Sequence, residues 1–323
     1  MFAAAFSVAA LTAVFAASAT HAQTLYLTSG SYTANDSTYL DIYAGRDSND
    51  SPTDSNGDPY VATLNVVNGA NIYGAFGYNT STVNISGGSM TDAYGTDTST
   101  VNISGGSVTY AGSAGSSTMN ISGGSIGSAT GFDTGTINVS GGDFYFTNSN
   151  DLSSINISGG SVTDANSYNS STINISGGSV FRAYAHSNST TNISGGSVSF
   201  TEGKESSSIN INGGTLTNGI LLRDTTATVN FVGTGLSFMY QSFGNNNPFQ
   251  EFSDRFAVSG TIGGATTTYD LYIRNQSGMG NSTPRQFNFV APVVVPEAGT
   301  FALVLPALGL LSAALVRRRN AGV

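Results

Sequence analysis

The sequence lacks cysteine and tryptophan entirely, and only two of its 323 residues are histidines. Without cysteine the chain forms no disulfide and offers no thiolate for a metal site or for nucleophilic catalysis. Charged residues are also scarce, at 9% of the chain, against about 25% in typical soluble proteins. The formal net charge is −9, which repels nucleic acid, because nucleic-acid binding depends on clustered lysine and arginine. No nucleic-acid partner is therefore predicted.

Small residues take the place of the missing ones, and glycine alone occurs 41 times. A chain that is poor in charge and rich in glycine, serine, threonine and asparagine can be disordered. Against disorder, the sequence contains 15 tyrosines and 18 phenylalanines, and valine and isoleucine recur at fixed intervals. A disordered chain gains nothing from such a register, so we expect a folded protein.

The N-terminal segment has the pattern of a secretory signal peptide. Residues 2–19 are small and apolar, and the sequence that follows predicts cleavage after Ala22. No lysine or arginine precedes the apolar run, which is consistent with a start inside a longer signal. The alternative is a buried N-terminal helix. We assign residues 1–22 to the signal peptide and expect an exported protein.

The C-terminal segment has three parts in a fixed order. The polar motif Pro296, Glu297 and Ala298 comes first, and an uncharged, mostly apolar stretch follows at residues 299–316. Eighteen helical residues span roughly 27 Å, close to the bilayer's hydrocarbon thickness of about 30 Å, so a transmembrane helix is predicted at 299–316. Three arginines that would stay on the cytoplasmic side close the segment: Arg317, Arg318 and Arg319.

This tail, residues 291–323, resembles the PEP-CTERM sorting signal of Gram-negative-type bacteria. In that family a Pro-Glu-Pro motif precedes a membrane helix and a terminal basic cluster; here the third residue is Ala298. The resemblance implies two partners, an exosortase-type sorting enzyme and the inner membrane. It also implies delivery to the cell envelope or the exterior, with a transient or retained membrane anchor. The alternative is a plain C-terminal anchor.

Between these two segments, the motif "STVNISGGSV" recurs with a period of 18 residues. Looser copies surround Asn65 and Asn230, as expected of the end units of a repeat array. The asparagine of the motif marks the eight regular copies: Asn84, Asn102, Asn120, Asn138, Asn156, Asn174, Asn192 and Asn210.

Each copy reads as two short strands around a glycine corner. Apolar and polar residues alternate over residues 82–86, which predicts a strand with one buried face. Gly87 and Gly88 supply the corner, and a second strand is predicted to begin at Ser89. A small residue follows at Ala93 and its equivalents, which suits a tight inward position. The remaining residues, such as 94–98, are predicted to form loops.

One such strand pair cannot bury its apolar face alone, but stacked coils can. Adjacent coils are then expected about 4.8 Å apart, with the valine and isoleucine positions piled into one core. The fold prediction is an all-β, parallel β-solenoid with one repeat per coil. The calcium-binding nonapeptide pattern and the hexapeptide pattern both fit poorly, so a right-handed β-helix is favoured.

The predicted organisation divides the rest of the chain into three parts. Residues 23–61 form an N-terminal cap with an acidic loop, residues 62–235 form the solenoid, and residues 236–290 form a small C-terminal β cap. The cap is predicted to contain two or more strands around the Gly263-Gly264 turn. A cap is expected because the open end of a solenoid is an exposed sheet edge.

The outward asparagines form the predicted surface feature of the solenoid, a row repeated from coil to coil. The row can be a soluble surface whose side chains bond along the axis, or it can bind glycans or ice. Seven copies also match the Asn-X-Ser/Thr acceptor pattern for glycosylation, from Asn84 to Asn192.

Catalytic residues are not predicted. His186 stands alone in the loop side of its coil, and His21 leaves with the signal peptide. The acidic loop at residues 45–60 is predicted to be solvated, with a calcium site as the alternative. The acidic residues of the array fall at different positions of the repeat, so no recurring pair emerges: Asp92, Asp97, Asp133, Asp143, Asp151, Asp164, Glu202 and Glu205.

The sequence as a whole predicts a non-catalytic bacterial β-solenoid at the cell surface or outside the cell. We expect a structural, adhesive or matrix-associated role, with extracellular polysaccharide as a possible partner and with no cofactor and no metal. The alternatives are a carbohydrate-active β-helix lyase or hydrolase and a glycan- or ice-binding module.

Overall fold

The computed structural model describes residues 23–35, 40–224, 226–241, 254–273 and 287–290. These residues form β-strands and turns with no helix, and the strands build a parallel β-solenoid of about 11 coils. The predicted all-β solenoid is confirmed.

The 26 strands of the described residues are short, and most of them have four to seven residues. In chain order they are β1 (Gln23–Leu27), β2 (Ser29–Ala34), β3 (Leu40–Ala44), β4 (Val61–Val66), β5 (Asn71–Gly77), β6 (Thr82–Ile85), β7 (Ser89–Gly95), β8 (Thr100–Ile103), β9 (Ser107–Ser113), β10 (Thr118–Ile121), β11 (Ser125–Gly131), β12 (Thr136–Val139), β13 (Asp143–Ser149), β14 (Ser154–Ile157), β15 (Ser161–Ser167), β16 (Thr172–Ile175), β17 (Ser179–Ala185), β18 (Thr190–Ile193), β19 (Ser197–Gly203), β20 (Ser208–Ile211), β21 (Thr215–Leu216), β22 (Ile220–Leu222), β23 (Thr228–Gln241), β24 (Asp254–Ile262), β25 (Ala265–Ile273) and β26 (Phe287–Val290).

Each coil contributes one strand to each of two parallel sheets. The even-numbered strands from β2 to β20 form the asparagine sheet, which β23 and β26 extend. The odd-numbered strands from β1 to β19 form the variable sheet, which β21, β22 and β25 extend. A coil therefore runs from one sheet, around a corner, to the other sheet and back.

The register between neighbouring coils follows the sequence repeat. Asn84 of β6 lies opposite Asn102 of β8, and this offset of 18 residues holds through the regular copies. At the ends of the array the offset changes, because Asn65 pairs with Asn84 and Asn210 pairs with Asn230. The prediction of one repeat per coil, with looser units at both ends, is confirmed.

The core is a stack of aliphatic side chains contributed by every coil. In β6, Val83 and Ile85 are buried, whereas the alternating residues Thr82 and Asn84 are half-buried on the outer face. In β7 the inward residues are Met90 and Ala93. Each fully buried aliphatic side chain stabilises the fold by about 1.5–3 kcal/mol, so the stack supplies the main driving force for folding.

The second strand of the coil is longer than predicted, and it bends. Tyr94 and Gly95 belong to β7 and not to the loop. Two successive residues, Thr91 and Asp92, lie on the outer side, so the inward positions fall three residues apart at Met90 and Ala93. The return turn then needs only four residues, closed by a hydrogen bond from the Ser99 N–H to the Thr96 carbonyl (3.1 Å).

A row of buried serines lies beneath this turn. The serine that opens seven of the eight regular copies is no more than 1% exposed, as at Ser117, Ser153 and Ser171, and Gly135 opens the remaining copy. The hydroxyl of Ser171 donates to the Ser149 carbonyl (2.7 Å), and that of Ser117 donates to the Gly95 carbonyl (2.9 Å). A small buried hydroxyl fits here because it satisfies turn carbonyls in a space too tight for a larger side chain.

The glycine corner is where successive coils approach most closely. A Cβ on Gly159 would lie 2.2 Å from the Ser140 carbonyl oxygen of the coil before it. Gly160 has a φ of 79°, and its Cβ would lie 2.7 Å from the Gly142 oxygen. The first glycine is therefore required for space, and the second is required for both space and backbone conformation.

Further strands pair with the coils at both ends of the regular array. Strands β1, β2 and β3 pair with the coils that follow, N-terminal to residue 62. At the other end, β24 and β25 form an antiparallel hairpin around Gly263 and Gly264. Strand β25 pairs with β22, and the Tyr269 hydroxyl donates to the Gly214 carbonyl (2.7 Å), so the hairpin packs on the last coil.

The close approach at the corner predicts a large effect of one methyl group. Gly159→Ala should lower the free energy of unfolding by about 1–3 kcal/mol, because the new Cβ displaces backbone of the neighbouring coil. Urea unfolding followed by circular dichroism measures the change. The control is Ser161→Ala, at an exposed position two residues away, which should stay within about 0.5 kcal/mol of the parent chain. Equal effects from both variants would show that the corner is not tightly packed.

Candidate functional site

The eight predicted asparagines lie in one continuous row on the outer side of the asparagine sheet. Each side-chain Nδ2 donates to the Oδ1 of the asparagine one coil earlier, over 2.7–2.9 Å. Asn65 and Asn230 continue the row at its two ends. The structure thus brings together Asn84, Asn102, Asn120, Asn138, Asn156, Asn174, Asn192 and Asn210.

The row has a direction, because every amide donates toward the N-terminal end. Asn102 donates to Asn84, and Asn84 donates to Asn65. Aligned hydrogen bonds of this kind polarise one another and strengthen the chain of bonds. The asparagines are half-buried, so a side chain removed from the row would leave its two neighbours with unsatisfied polar atoms.

The residues beside the row are as constant as the row itself. Thr100 is half-buried, like Asn102, whereas Ser104 is exposed. From β6 to β20 the outward residues of every strand are threonine or serine, then asparagine. This face is consequently a uniform grid of hydroxyls and amides that carries the same chemistry at every coil.

The hydrogen bonds of the asparagine row also explain the recurring Asn-X-Ser/Thr pattern. The nitrogen to which a sugar would attach is the ladder donor, so modification of Asn84 would leave only one N–H on the atom that bonds to Asn65. Acceptor sites also recur at every coil, about 4.8 Å apart, which leaves no room for a glycan on each. The recurrence of the acceptor pattern therefore follows from the ladder.

The variable sheet presents a different outer surface. We call the outward residues of β5 to β19 the variable face; they occupy the positions equivalent to Thr91, Asp92 and Tyr94. Their identity changes from coil to coil, and several are exposed aromatic residues: Tyr73, Tyr110, Tyr145, Phe146 and Phe181.

Ion pairs on the variable face gather near the C-terminal coils. Arg182 makes two hydrogen bonds to the carboxylate of Asp164 in the coil before it. One runs from Nε to Oδ1, and the other runs from Nη2 to Oδ2 over 2.6 Å. This hydrogen bond raises the pKa of Arg182. Glu202, which is buried, pairs with Lys204 (3.1 Å) and with Arg223. The buried carboxylates are thus neutralised within the sheet.

The expectation that the acids of the array occupy unrelated positions is wrong for six of them. Asp92 and Asp164 share one column of the variable sheet, and four others lie in return turns. These four share the second position of the return turn, where the backbone has a φ of 52–57°. Asparagine and aspartate tolerate this left-handed conformation better than most residues. Asp97 accepts the Asn79 N–H (3.0 Å), so its role is to hold adjacent turns together. The four are Asp97, Asp133, Asp151 and Glu205.

Asp41 and Asp92 also lie in one column of the variable sheet, with Gly74 between them. Burial raises the pKa of both carboxyls, and the charge of Asp92 raises that of Asp41 further. The Oδ1 atom of Asp41 is buried without a hydrogen-bond partner. Asp41 lies outside both the acidic loop and the regular copies, whose acids were the candidates from sequence, so this pair was not predicted.

His186 is not isolated, contrary to expectation. Its ring stacks on Tyr168 at a centroid distance of 4.7 Å and lies near Tyr184. Burial lowers its pKa, and the positive charge of Lys204 lowers it further. The imidazole therefore lies in an aromatic environment next to the ion-pair cluster, where its neutral form is favoured.

In the acidic loop, two carboxylates accept hydrogen bonds from backbone N–H groups of the loop itself. Asp47 accepts the N–H groups of Asn49 and Ser51, both at 2.9 Å. Asp54 accepts those of Asn56 (2.8 Å) and Asp58 (3.0 Å). These bonds lower the pKa of Asp47 and of Asp54. Within the described residues, no three potential metal-ligating side chains come together.

The predicted signal peptide and sorting tail lie outside the described residues. They include the motif Pro296, Glu297 and Ala298 and the arginines 317–319. Over the part of the chain that the structure describes, no helix is long and apolar enough to cross a membrane. The chain matches no protein-family model, no curated protein and no solved structure. Its function must therefore be argued from its own geometry.

The asparagine row predicts energetic coupling between adjacent coils. Asn138→Ala and Asn156→Ala should each destabilise the protein by about 1 kcal/mol. The double variant should lose about 0.5–1.5 kcal/mol less than the sum, because the two side chains share one hydrogen bond. Urea unfolding of the four proteins gives the coupling energy.

The matched control for this cycle is the pair Asn102→Ala and Asn174→Ala. These residues lie in the same row but four coils apart, roughly 19 Å, so their effects should add. Strict additivity in the adjacent pair as well would show that the row contributes nothing beyond each separate side chain.

Proposed function

We propose that the chain is an exported, non-catalytic, right-handed β-solenoid that serves as a structural, adhesive or matrix-associated protein at the bacterial surface or outside the cell. The observation that carries the proposal is the 18-residue register, which is maintained in both sheets through the regular copies. A rod of this kind is built by adding like units, and its long sides are its main feature. The hairpin β24–β25 is proposed as its C-terminal cap.

The asparagine row supports a scaffold in preference to an ice- or glycan-binding surface on that sheet. Each amide already donates to one neighbour and accepts from the other. The amide groups of the row are therefore already used in hydrogen bonds that hold adjacent coils together. A glycan or an ice surface would have to compete with these hydrogen bonds between asparagines. This competition favours a structural role for the asparagine sheet.

The proposed route to the surface rests on the two terminal segments. The leader at residues 1–22 directs export, and the tail resembling the PEP-CTERM signal is processed by an exosortase-type enzyme at the inner membrane.

A second candidate is a carbohydrate-active enzyme, and the Asp41–Asp92 pair is the observation that favours it. The two residues are separated by two coil steps, about 9.6 Å along the axis. Inverting glycoside hydrolases hold their two carboxyls about 6.5–9.5 Å apart. One carboxyl in such a pair must be protonated, and the raised pKa of Asp41 and Asp92 acts in that direction.

Sorting is tested by intact mass spectrometry of the full chain expressed in a bacterium that encodes an exosortase-type enzyme. The exported chain should lose the segment after the motif at 296–298 only when that enzyme is present. Replacing Pro296 and Glu297 by alanine should leave the chain unprocessed in the membrane fraction. Pro292→Ala, which changes a proline four residues earlier, is the control and should be processed normally. One mass with and without the enzyme would contradict the proposal.

The enzyme candidate is tested by incubating the purified exported chain with a panel of plant and bacterial polysaccharides. Release of reducing ends or of unsaturated sugars would support it, provided that Asp41→Asn and Asp92→Asn each lower the rate at least about hundredfold. Asp143→Asn, at an exposed acid on the same sheet, is the control and should keep full activity. Sugar release that survives both substitutions would exclude this pair as the catalytic residues.

A further inference from the structure

The internal copies of the repeat allow a comparison between the two outer faces. On the asparagine sheet, the outward residues stay threonine or serine and asparagine from β6 to β20. On the variable face, the position equivalent to Asp92 is in turn Tyr110, Ser128, Phe146 and Asp164. The outer face of the asparagine sheet is thus constant because its side chains hold the coils together. The variable face has no such role in every coil, so its residues can differ and can bind a ligand.

Exposed aromatic residues occur on the variable face at two-coil intervals. Tyr110 and Phe146 lie in one column with Ser128 between them. Tyr145 and Phe181 lie in the neighbouring column, also two coils apart, with Thr163 between them. Two coils correspond to about 9.6 Å along the axis, which is comparable with the length of a disaccharide in an extended glycan.

The spacing determines whether a ring is available to a ligand. Near the N-terminal end, Tyr26, Tyr43 and Phe76 stack on one another, at centroid distances of 5.1 and 4.8 Å. Those rings cover each other's faces. Tyr145 and Phe181, separated by a coil with a small residue, are instead 66% and 51% exposed. A cluster of exposed apolar side chains on a soluble protein marks an interaction site.

The charge on this part of the face restricts the partner. From β11 to β19 the charged residues at these positions are Asp164, Arg182 and Glu202, each in an ion pair. Asp143, at the start of β13, adds one exposed negative charge beside them. The chain as a whole has a formal net charge of −9, which repels polyanions. The charge therefore matches an uncharged partner.

Polar groups that suit such a partner stand beside the rings. Asn148 and Asn166 bond to each other in adjacent coils (3.0 Å), and Asn148 also donates to Ser128 (3.3 Å). Binding sites for small polar molecules combine aromatic surfaces with a few placed hydrogen-bonding groups of this type. The apolar faces of pyranose rings pack on aromatic rings, whose negative faces attract C–H groups.

We propose that the variable face from Tyr110 to Phe181 binds an uncharged, extended polysaccharide that lies along the rod axis. Alternate sugar rings pack on Tyr110, Tyr145, Phe146 and Phe181, and sugar hydroxyl groups bond to the half-buried Asn148, which the buried Asn166 holds in place. This activity goes beyond the scaffold role proposed above, and it does not depend on how the chain is sorted. A flexible glycan chain can bind along several coils at once, so weak contacts with each ring add up.

Native affinity electrophoresis tests this proposal, because the acidic chain migrates freely in an empty gel. Gels contain hydroxyethylcellulose, galactomannan or dextran as neutral probes and alginate as an anionic probe. At least one neutral probe should retard the exported chain. The triple variant Tyr145→Ala, Phe146→Ala and Phe181→Ala should bind that probe at least tenfold more weakly, with an unchanged circular dichroism spectrum.

Leu152→Ala is the matched control, because Leu152 is 66% exposed, like Tyr145, but lies in a return turn. It should bind like the parent chain. The proposal is overturned if no neutral probe retards the chain, if only alginate does, or if the triple variant binds normally. It is also overturned if no probe binds and the triple substitution converts a dimer to a monomer in analytical ultracentrifugation. That result would assign the face to a second copy of the chain.

Discussion

Backbone hydrogen bonds between residues nineteen apart hold each coil to the one before it, at the corners as well as along the strands. The Ser122 N–H donates to the Ile103 carbonyl (2.8 Å), and the Ser125 N–H donates to the Gly106 carbonyl (2.9 Å). Since the corners themselves are part of the ladder, each coil must turn as its neighbour does. This requirement explains why Gly123 and Gly124 recur in every regular copy, where any side chain would meet the backbone next to it.

The sequence was informative wherever a residue's role depends on this ladder. Its period predicted the coil, and the alternation over residues 82–86 predicted the first strand and its buried face. The second strand could not be predicted to its end, because the bend at Thr91 and Asp92 breaks the two-residue alternation on which strand patterns rest. The buried serine that opens seven of the eight regular copies was likewise missed, since hydroxyl residues in a repeat are most simply taken as surface.

The candidate sites also divide into features that the repeat predicts and features that it does not. The asparagine row could be placed because it belongs to the repeat. Asp97 and Asp133 are two periods apart, but the reason for an acid there is a left-handed backbone conformation that the period does not reveal. The contacts of the variable face depend on which side chains happen to lie in neighbouring coils. Asp164 and Arg182 meet only because both occupy one column, and this can be read from the sequence only after the direction of each residue is known.

The uniform direction of the asparagine amides gives the rod a polarity like that of a filament. One end of the row presents donors and the other presents acceptors, so an added coil continues it only if it enters in the same orientation. A duplication or loss of eighteen residues within the array preserves that orientation automatically. Rod length is thus a property that evolution can adjust by unequal recombination, without redesigning a single contact in the framework.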